Sequence, residues 1–178
     1  MTERLVECVP NFSEGRDREK LKLITSAIEG TSGVRLLDVD AGADTHRTVV
    51  TFVGPPEAVE EAAFRAIARA AELIDLRTHR GEHPRMGATD VCPFVPVEGV
   101  TMAECVAMAR RVGERVGREL RIPVYLYEEA ATQPQRKSLS DIRKGEYEGL
   151  ARKLADPAWA PDFGPAQFNA KSGATVIG

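Results

Sequence analysis

Residues 34–53 read VRLLDVDAGADTHRTVVTFV, and their pattern is the basis of the fold prediction. Its two ends, residues 34–39 and 47–53, are rich in Val, Leu, Thr and Phe, a composition typical of β-strands. The connection between them is polar and too short for a crossover helix. The two strands are therefore predicted to pair as an antiparallel hairpin.

Apolar residues recur at helical spacing in the sequence on both sides of the hairpin. They predict helices over residues 17–29, 56–74 and 101–120, with short helical pieces near 138–144 and 146–154. Further strands are predicted at residues 4–9, 91–95, 123–127 and 174–177. The first six elements run β-α-β-β-α-β, the order of the ferredoxin-like split βαβ pattern. We expect an α/β (α+β) fold with a mixed sheet of about six strands.

The two faces of this sheet are not expected to be covered equally by helices. Both crossover helices should lie on one face, because such connections are right-handed. Residues 48–53 are nevertheless apolar on both sides of their strand. A large bare apolar patch on a monomer usually marks an interface. The other face is therefore expected to receive a second subdomain, a second chain or a ligand.

Composition narrows the class of protein. The chain has 24 Lys and Arg against 27 Asp and Glu, a net charge of −3, which argues against a nucleic-acid partner. No stretch is apolar enough to span a bilayer, and the N-terminus does not resemble a signal peptide. Three scattered cysteines without a CxxC pair indicate reduced, mostly buried thiols. These features predict a cytoplasmic protein with no membrane or nucleic-acid partner.

The densest polar cluster is THRGEHPRMGATD, residues 78–90, which contains two of the three histidines. Imidazole suits proton transfer near neutral pH, so His83 is a candidate acid–base residue. A purely structural role for His83 remains an alternative. For His79 the favoured interpretation is a solvated residue near a helix end. A metal pair is disfavoured, because Gly81 and Pro84 break any helix and no third ligand has a matching spacing.

Two more clusters are candidates for binding. Residues 38–47 combine three carboxylates with Arg47, whose planar fork suits a substrate carboxylate, although turn chemistry alone explains such a hairpin loop. In residues 159–173, Phe163 and Phe168 can stack on a flat heteroaromatic ring, and Lys171 can meet an acid. The alternative for this segment is a surface excursion tied down by Trp159.

These motifs together resemble one family. LVECVPNFSEG, LLDVDAGADTHRTVVTFVGPPEAV, HRGEHPRMGATDVCPFVPVEGV, IRKGEYEGL and WAPDFGP follow in order over nearly the whole chain. The sequence looks like the N-terminal subdomain of the formiminotransferase domain, found in glutamate formimidoyltransferases and formimidoyltransferase-cyclodeaminases. The resemblance assigns residues 1–178 to that subdomain, with the C-terminal subdomain absent from this chain.

The resemblance implies transfer of a formimino group from N-formimino-L-glutamate to tetrahydrofolate, a step of histidine degradation, with no metal. It gives His83 the proton-transfer role and places Asp40 and Arg47 at the cleft. Its folate-binding stretch corresponds to the residues Gly164, Pro165, Ala166, Gln167, Phe168, Asn169, Ala170, Lys171, Ser172 and Gly173.

The implied partners are the two small-molecule substrates and the missing subdomain, supplied by a longer chain or a separate one. A homodimer is also implied. Two alternatives stay open: a non-catalytic folate-binding or scaffolding module that lacks its second half, and a transferase that uses another formimino or formyl donor.

Overall fold

One mixed sheet with helices on both faces forms the core of the molecule. The computed structural model describes residues 3–81 and 84–178. Its strands are β1 (Leu5–Cys8), β2 (Asn11–Phe12), β3 (Arg35–Gly42), β4 (Arg47–Gly54), β5 (Thr89–Cys92), β6 (Phe94–Glu98), β7 (Val124–Leu126) and β8 (Thr175–Ile177). Its α-helices are α1 (Arg18–Glu29), α2 (Pro56–Leu73), α3 (Met102–Arg115), α4 (Leu139–Arg143) and α5 (Leu150–Ala155).

Prolines divide two strands, so the eight strand segments take six places across the sheet. Pro10 separates β1 from β2, and Pro93 separates β5 from β6, because proline cannot donate to the ladder. Across the sheet, β3 comes first and β4 second. The third place is shared by β1 and β2, and the fourth by β6 and β5. β8 and β7 take the fifth and sixth places. The first four places have the ferredoxin-like arrangement, and β8 and β7 extend it in parallel. The predicted fold class is confirmed, with more strand segments than expected.

The antiparallel β3–β4 hairpin is confirmed, but its loop is shorter than the sequence suggested. β3 continues to Gly42 and pairs with β4, with a register shift between Leu36 and Asp38, so that Asp40 lies opposite Val49. Only residues 43–46 form the turn. Asp40 is therefore a strand residue, which corrects its assignment to the polar connection, whereas Asp38 lies within the strand predicted for residues 34–39.

Helices α1, α2 and α3 cover one face of the sheet, as predicted. Asp17 begins α1 by accepting hydrogen bonds from the amides of Glu19 and Lys20, which caps its first turn. The apolar stripes of the helices pack on the side chains of alternate strand residues, including Val50, Phe52 and Val6. This cluster holds most of the buried apolar residues that the structure describes.

The opposite face is covered over half of its width. Over β5, β8 and β7, the helices α4 and α5 bury a second cluster of side chains that includes Ile142, Leu150, Tyr125 and Val176. Over β3, β4, β1 and β6 the same face remains open, and Val95 and Val97 there are 44% and 51% exposed. The expectation that this whole face would be bare is therefore wrong for the half formed by β5, β8 and β7, because residues 128–160 fold back over it.

Close packing at two glycines of the α3 region sets the path of the C-terminal segment. A Cβ atom on Gly117 would lie 2.5 Å from the amide nitrogen of Gly164, and one on Gly113 would lie 3.0 Å from the Phe163 ring. The segment can approach the helix only because these side chains are absent. Phe163 consequently packs against the core cluster and is partly buried.

Cys8, Cys92 and Cys105 are buried and free, as predicted. The Cys8 and Cys92 sulfur atoms lie 3.6 Å apart, and burial, followed by the hydrogen bond to Cys92, raises the pKa of the Cys8 thiol. Among the described residues, no helix has the length and apolar character needed to cross a membrane.

Candidate functional site

A narrow cleft, too tight in this structure to admit a water molecule, lies where the β3–β4 turn meets the connection from α2 to β5. Its lining comes from two stretches that are distant in the sequence, and it consists of Ser13, Thr45, His46, Arg47, His79, Pro84, Arg85 and Asp90. The fold thus brings together the two polar clusters that the sequence singled out separately. His83 belongs to this connection in sequence but lies outside the described residues.

The two predicted cleft residues of the hairpin are placed differently. Arg47 lines the cleft and is half-buried. Asp40 is exposed on the open face of the sheet, where its register partner is Val49, and it is not among the cleft-lining residues. Both residues therefore lie on the open face, but at different positions along the β3–β4 hairpin.

His79 is buried, which corrects the expectation of a solvated side chain. Only 4% of the residue is exposed. Its Nε2 donates to the His46 carbonyl oxygen at 3.0 Å, and its Nδ1 accepts a hydrogen bond from Arg85 Nε at 2.9 Å. Both ring nitrogens are thus engaged in a way that fits a neutral imidazole with its proton on Nε2.

His46 stacks on His79, with ring centroids 4.2 Å apart and planes inclined by 15°. Its Nδ1 accepts a hydrogen bond from the Gly15 amide at 3.0 Å and lies 3.5 Å from a Glu14 carboxylate oxygen. The residue has φ of 54°, a left-handed conformation that non-glycine residues adopt mainly where the surroundings impose it. The turn is therefore held so that the His46 ring faces the loop containing His79.

Burial lowers the pKa of both His46 and His79, and for His46 the next contribution is the charge of His79. Because the unfolded chain keeps the ordinary pKa of about 6.5, it binds more protons than the folded chain just below that pH. The free energy of unfolding should therefore fall as the pH drops from about 7.5 to about 5.5. Urea denaturation across this range measures it.

The control for this pH dependence is the double variant His46→Asn, His79→Gln, which removes the two titrating rings. Its unfolding free energy should fall less steeply over the same range. An equal slope in both proteins would contradict the assignment of the effect to this pair.

Asp90 holds in place the end of the connection from α2 to β5 that lies next to β5. Its Oδ1 accepts hydrogen bonds from the amides of Met86 and Gly87 at 2.6 and 3.2 Å, and its Oδ2 pairs with Arg143. Only 1% of the Asp90 residue is exposed. Ser13 reinforces the turn, since its hydroxyl donates to the Gly87 carbonyl oxygen at 2.7 Å. The residues just after position 84 are thus tied to the sheet from several directions.

The predicted folate-binding stretch runs along the same loop. Gly173 bridges Gly87 in an antiparallel contact, and the Ala88 amide donates to the Ser172 carbonyl oxygen at 2.9 Å. Gly173 has φ of 67°, and a Cβ atom there would lie 2.0 Å from the Met86 carbonyl oxygen. Residues 172–173 therefore lie directly beside the loop.

The side chains of this stretch serve different purposes. Lys171 Nζ donates to the carbonyl oxygens of Ala71 and Glu72 at 2.6 and 2.8 Å, so that it caps the end of α2 and does not meet an acid as expected. Asn169 closes a turn by accepting from the Ser172 amide. Gly164, Ala166 and Gln167 are exposed, whereas Pro165 and Ala170 are half-buried.

Phe168 is the exposed aromatic side chain of the stretch, with 38% of the residue exposed. Its ring lies 5.4 Å from that of Tyr147, and the Tyr147 hydroxyl donates to the Ala170 carbonyl oxygen at 2.6 Å. The Arg85 guanidinium carbon lies 5.4 Å from the centroid of the same tyrosine ring. An aromatic surface therefore continues from the cleft toward the predicted folate-binding residues.

Four residues of this arrangement were not singled out from the sequence. Glu14 lay outside the polar clusters and Tyr147 fell in a predicted helical piece, while Arg85 and Asp90 belonged to the polar loop without a role. The signal for them was weak, because their partners are distant along the chain: Arg85 pairs with Glu148, and Asp90 pairs with Arg143.

In residues 3–81 and 84–178, no three His, Cys, Asp or Glu side chains come together in a way that could hold a metal ion.

Comparison with known proteins gives consistent matches over this chain. The family model for the formiminotransferase domain, N-terminal subdomain, matches residues 5–178. The formimidoyltransferase-cyclodeaminase of Rattus norvegicus is 58% identical over 175 residues, which cover 98% of this chain and 32% of that protein. The glutamate formimidoyltransferase of Thermoplasma acidophilum is 51% identical over 176 residues, which cover 98% of this chain and 58% of that protein.

The glutamate formimidoyltransferase of Streptococcus pyogenes serotype M1 is 46% identical over 175 residues, again 98% of this chain and 58% of the relative. The chain therefore spans about a third of the cyclodeaminase relatives and 58% of the glutamate formimidoyltransferases.

Proposed function

This chain belongs to the family of the formiminotransferase domain, N-terminal subdomain, and from that premise we propose that it forms half of an active site. The proposed enzyme transfers the formimino group from N-formimino-L-glutamate to tetrahydrofolate, a step of histidine degradation and one-carbon metabolism. Relatives named for formimidoyl transfer support this reaction.

The observation that carries the proposal is the contact between the His83 loop and the predicted folate-binding stretch. The Ala88 amide donates to Ser172, and the Ala174 amide donates to Met86, each at 2.9 Å. A folate held by residues 164–173 would therefore lie beside the loop that carries position 83. Nearby, Phe168 and Tyr147 offer flat apolar surface that suits a heteroaromatic ring.

The chemistry requires proton movement at two nitrogens. Tetrahydrofolate supplies a secondary amine, N5, as the acceptor of the formimino group. One proton leaves that nitrogen when it bonds to the formimino carbon, and one proton must reach the glutamate nitrogen when its bond to that carbon breaks. We assign both transfers to the His83 imidazole. His79 does not fit this role, because both of its ring nitrogens are already engaged.

We assign substrate binding to the two hairpin residues. Arg47 lines the cleft, and its guanidinium suits one carboxylate of the donor. Asp40 is exposed on the open sheet face, where a carboxylate can hold the cationic amidine of the donor or orient the catalytic imidazole.

We further propose that the second half of the transferase covers the open sheet face formed by β3, β4, β1 and β6. Val95 and Val97 leave apolar surface exposed there. The relatives are longer than this chain, which leaves room in them for such a subdomain. A separate partner chain can supply the same surface.

Phe168→Ala should weaken binding of a reduced folate by about 2- to 12-fold, because an aromatic stacking contact contributes roughly 0.5–1.5 kcal/mol. The unfolding free energy should change little, since the ring is partly exposed. The matched control is Phe163→Ala, which removes a core ring and should cost about 2 kcal/mol of stability. Calorimetric titration with folinate and urea denaturation measure both. Unchanged folinate affinity in Phe168→Ala would contradict this placement of the folate.

The test of the function is an assay of formimino transfer to tetrahydrofolate, with and without the second half of the transferase. Turnover that depends on that half supports the proposal. Folinate binding without turnover in the assembled protein would favour the non-catalytic folate-binding module. Turnover only with formiminoglycine or N-formylglutamate would indicate a different donor.

A further inference from the structure

We propose that His79 is a positioning residue that docks the polar loop of residues 78–90 onto the β3–β4 turn and does not itself carry the transferred proton. The inference rests on the proposed function, because the group that it positions is His83, four residues later. Three features of the described residues carry it: the two hydrogen bonds of the ring, the stacking on His46, and the contact made by Gly81.

The hydrogen bonds fix both the place and the protonation of the His79 ring. Nε2 reaches across 33 residues of sequence to the His46 carbonyl oxygen, and Nδ1 receives the Arg85 Nε–H. Protonation of Nδ1 would set two N–H donors against each other at 2.9 Å. A ring held in this way acts as a clamp with one donor and one acceptor, and it cannot accept a proton from a substrate without breaking that clamp.

The partners of the clamp are themselves held in place. Arg85 is buried and pairs with Glu148 at 2.9 Å, and Glu146 is 3.8 Å away. The Tyr147 amide donates to the Arg85 carbonyl oxygen at 2.9 Å. Because Arg85 is fixed from the 146–148 segment, the Nδ1 acceptor of His79 is oriented by a part of the chain outside the loop.

Gly81 shows how closely the loop lies on the turn. A Cβ atom at this position would lie 2.5 Å from the Thr45 carbonyl oxygen and 2.7 Å from the His46 Cβ atom. His79 and Gly81 therefore touch the same turn at two points just before residue 82. Displacement of either contact should shift the chain that leads into position 83.

The test compares His79→Gln with His79→Leu in the complete transferase. Glutamine can keep an N–H donor and a carbonyl acceptor, whereas leucine keeps only the bulk. His79→Leu should lower kcat by about 10²-fold, the typical effect of misplacing a catalytic group, with KM changed by less than about 3-fold. His79→Gln should restore kcat by at least about 10-fold over His79→Leu and retain the wild-type dependence of kcat on pH.

Gly81→Ala provides a second variant that leaves the imidazole intact, in case His79→Leu does not fold. It should also lower kcat with little change in KM, while Gly30→Ala, at the end of α1, should match the wild type. Wild-type kcat in both His79→Leu and Gly81→Ala would overturn the positioning role. Loss of the pH dependence in His79→Gln would show that His79 carries the proton and would overturn it as well.

Parallel measurement of His83→Ala separates the two levels of the hypothesis. If His83→Ala loses activity while the His79 and Gly81 variants do not, only the positioning role fails. If His83→Ala keeps wild-type turnover, the proposed function of the loop fails whatever the other variants show.

Discussion

Replacement of His83 by alanine in the complete transferase is expected to lower kcat by about 10²–10⁴-fold, the contribution of one well-placed acid–base group. Alanine cannot take a proton from the acceptor nitrogen or return one to the departing glutamate nitrogen. The affinity for folinate should change by less than about 3-fold, because the proposed folate contacts come from residues 164–173. Steady-state kinetics and calorimetric titration give the two quantities.

The control for this experiment is His46→Asn, which removes an imidazole that lines the cleft and whose Nδ1 accepts a hydrogen bond from the Gly15 amide. We expect His46→Asn to lose much less activity than His83→Ala, because the proton-transfer role is assigned to position 83. A large loss in His46→Asn with near-normal turnover in His83→Ala would transfer the chemistry from the loop to the hairpin turn.

Of the substitutions considered, replacement of Asp90 by alanine should have the largest effect on stability. It should lower the unfolding free energy by about 3–5 kcal/mol. The variant leaves the amides of Met86 and Gly87 without their acceptor and Arg143 without its buried partner. Unpaired groups of this kind are costly because water cannot replace the lost contacts. Urea denaturation of the variant and the wild type measures the difference.

The matched control is Asp17→Ala, which also removes a carboxylate that accepts from two amides. Asp17 is exposed, so its loss should cost only about 1 kcal/mol, the usual value for a helix N-cap. Asp90→Asn keeps an acceptor for the amides but weakens the pair with Arg143, and its stability should lie between those of Asp90→Ala and the wild type. Equal losses for Asp90→Ala and Asp17→Ala would show that burial and the ion pair contribute nothing.

The sequence was a good guide wherever a local period determines the structure. The stripe of α2 and the alternation of β4 are set by which residues face the core, and both elements lie within a residue or two of the predicted bounds. The sequence was a poor guide to the hairpin loop, since β3 continues through Asp40 to Gly42. Strand pairing with β4 outweighs the weak β-propensity of Asp and Gly there.

The candidate site shows the same division. His83 and Arg47 were selected because the residue types suit proton transfer and carboxylate binding, properties that a side chain keeps in any fold. His79 was misjudged as solvated, because its burial depends on His46 and Arg85, and its contact with His46 spans 33 residues. Lys171 was expected to meet an acid, yet it caps α2, which is 99 residues away in sequence at Glu72.

The amino-acid sequence alone thus determined the strands, the helices, the family resemblance and the residue types that can carry the chemistry, because each depends on neighbouring residues or on motif identity. Which of those residues come into contact depends on the tertiary structure. The stacking of His46 on His79, the cover of α4 and α5 over half of the second sheet face, and the position of Phe168 against Tyr147 all depend on how distant segments pack. Such contacts follow from the paths of connecting loops, which no local periodicity encodes.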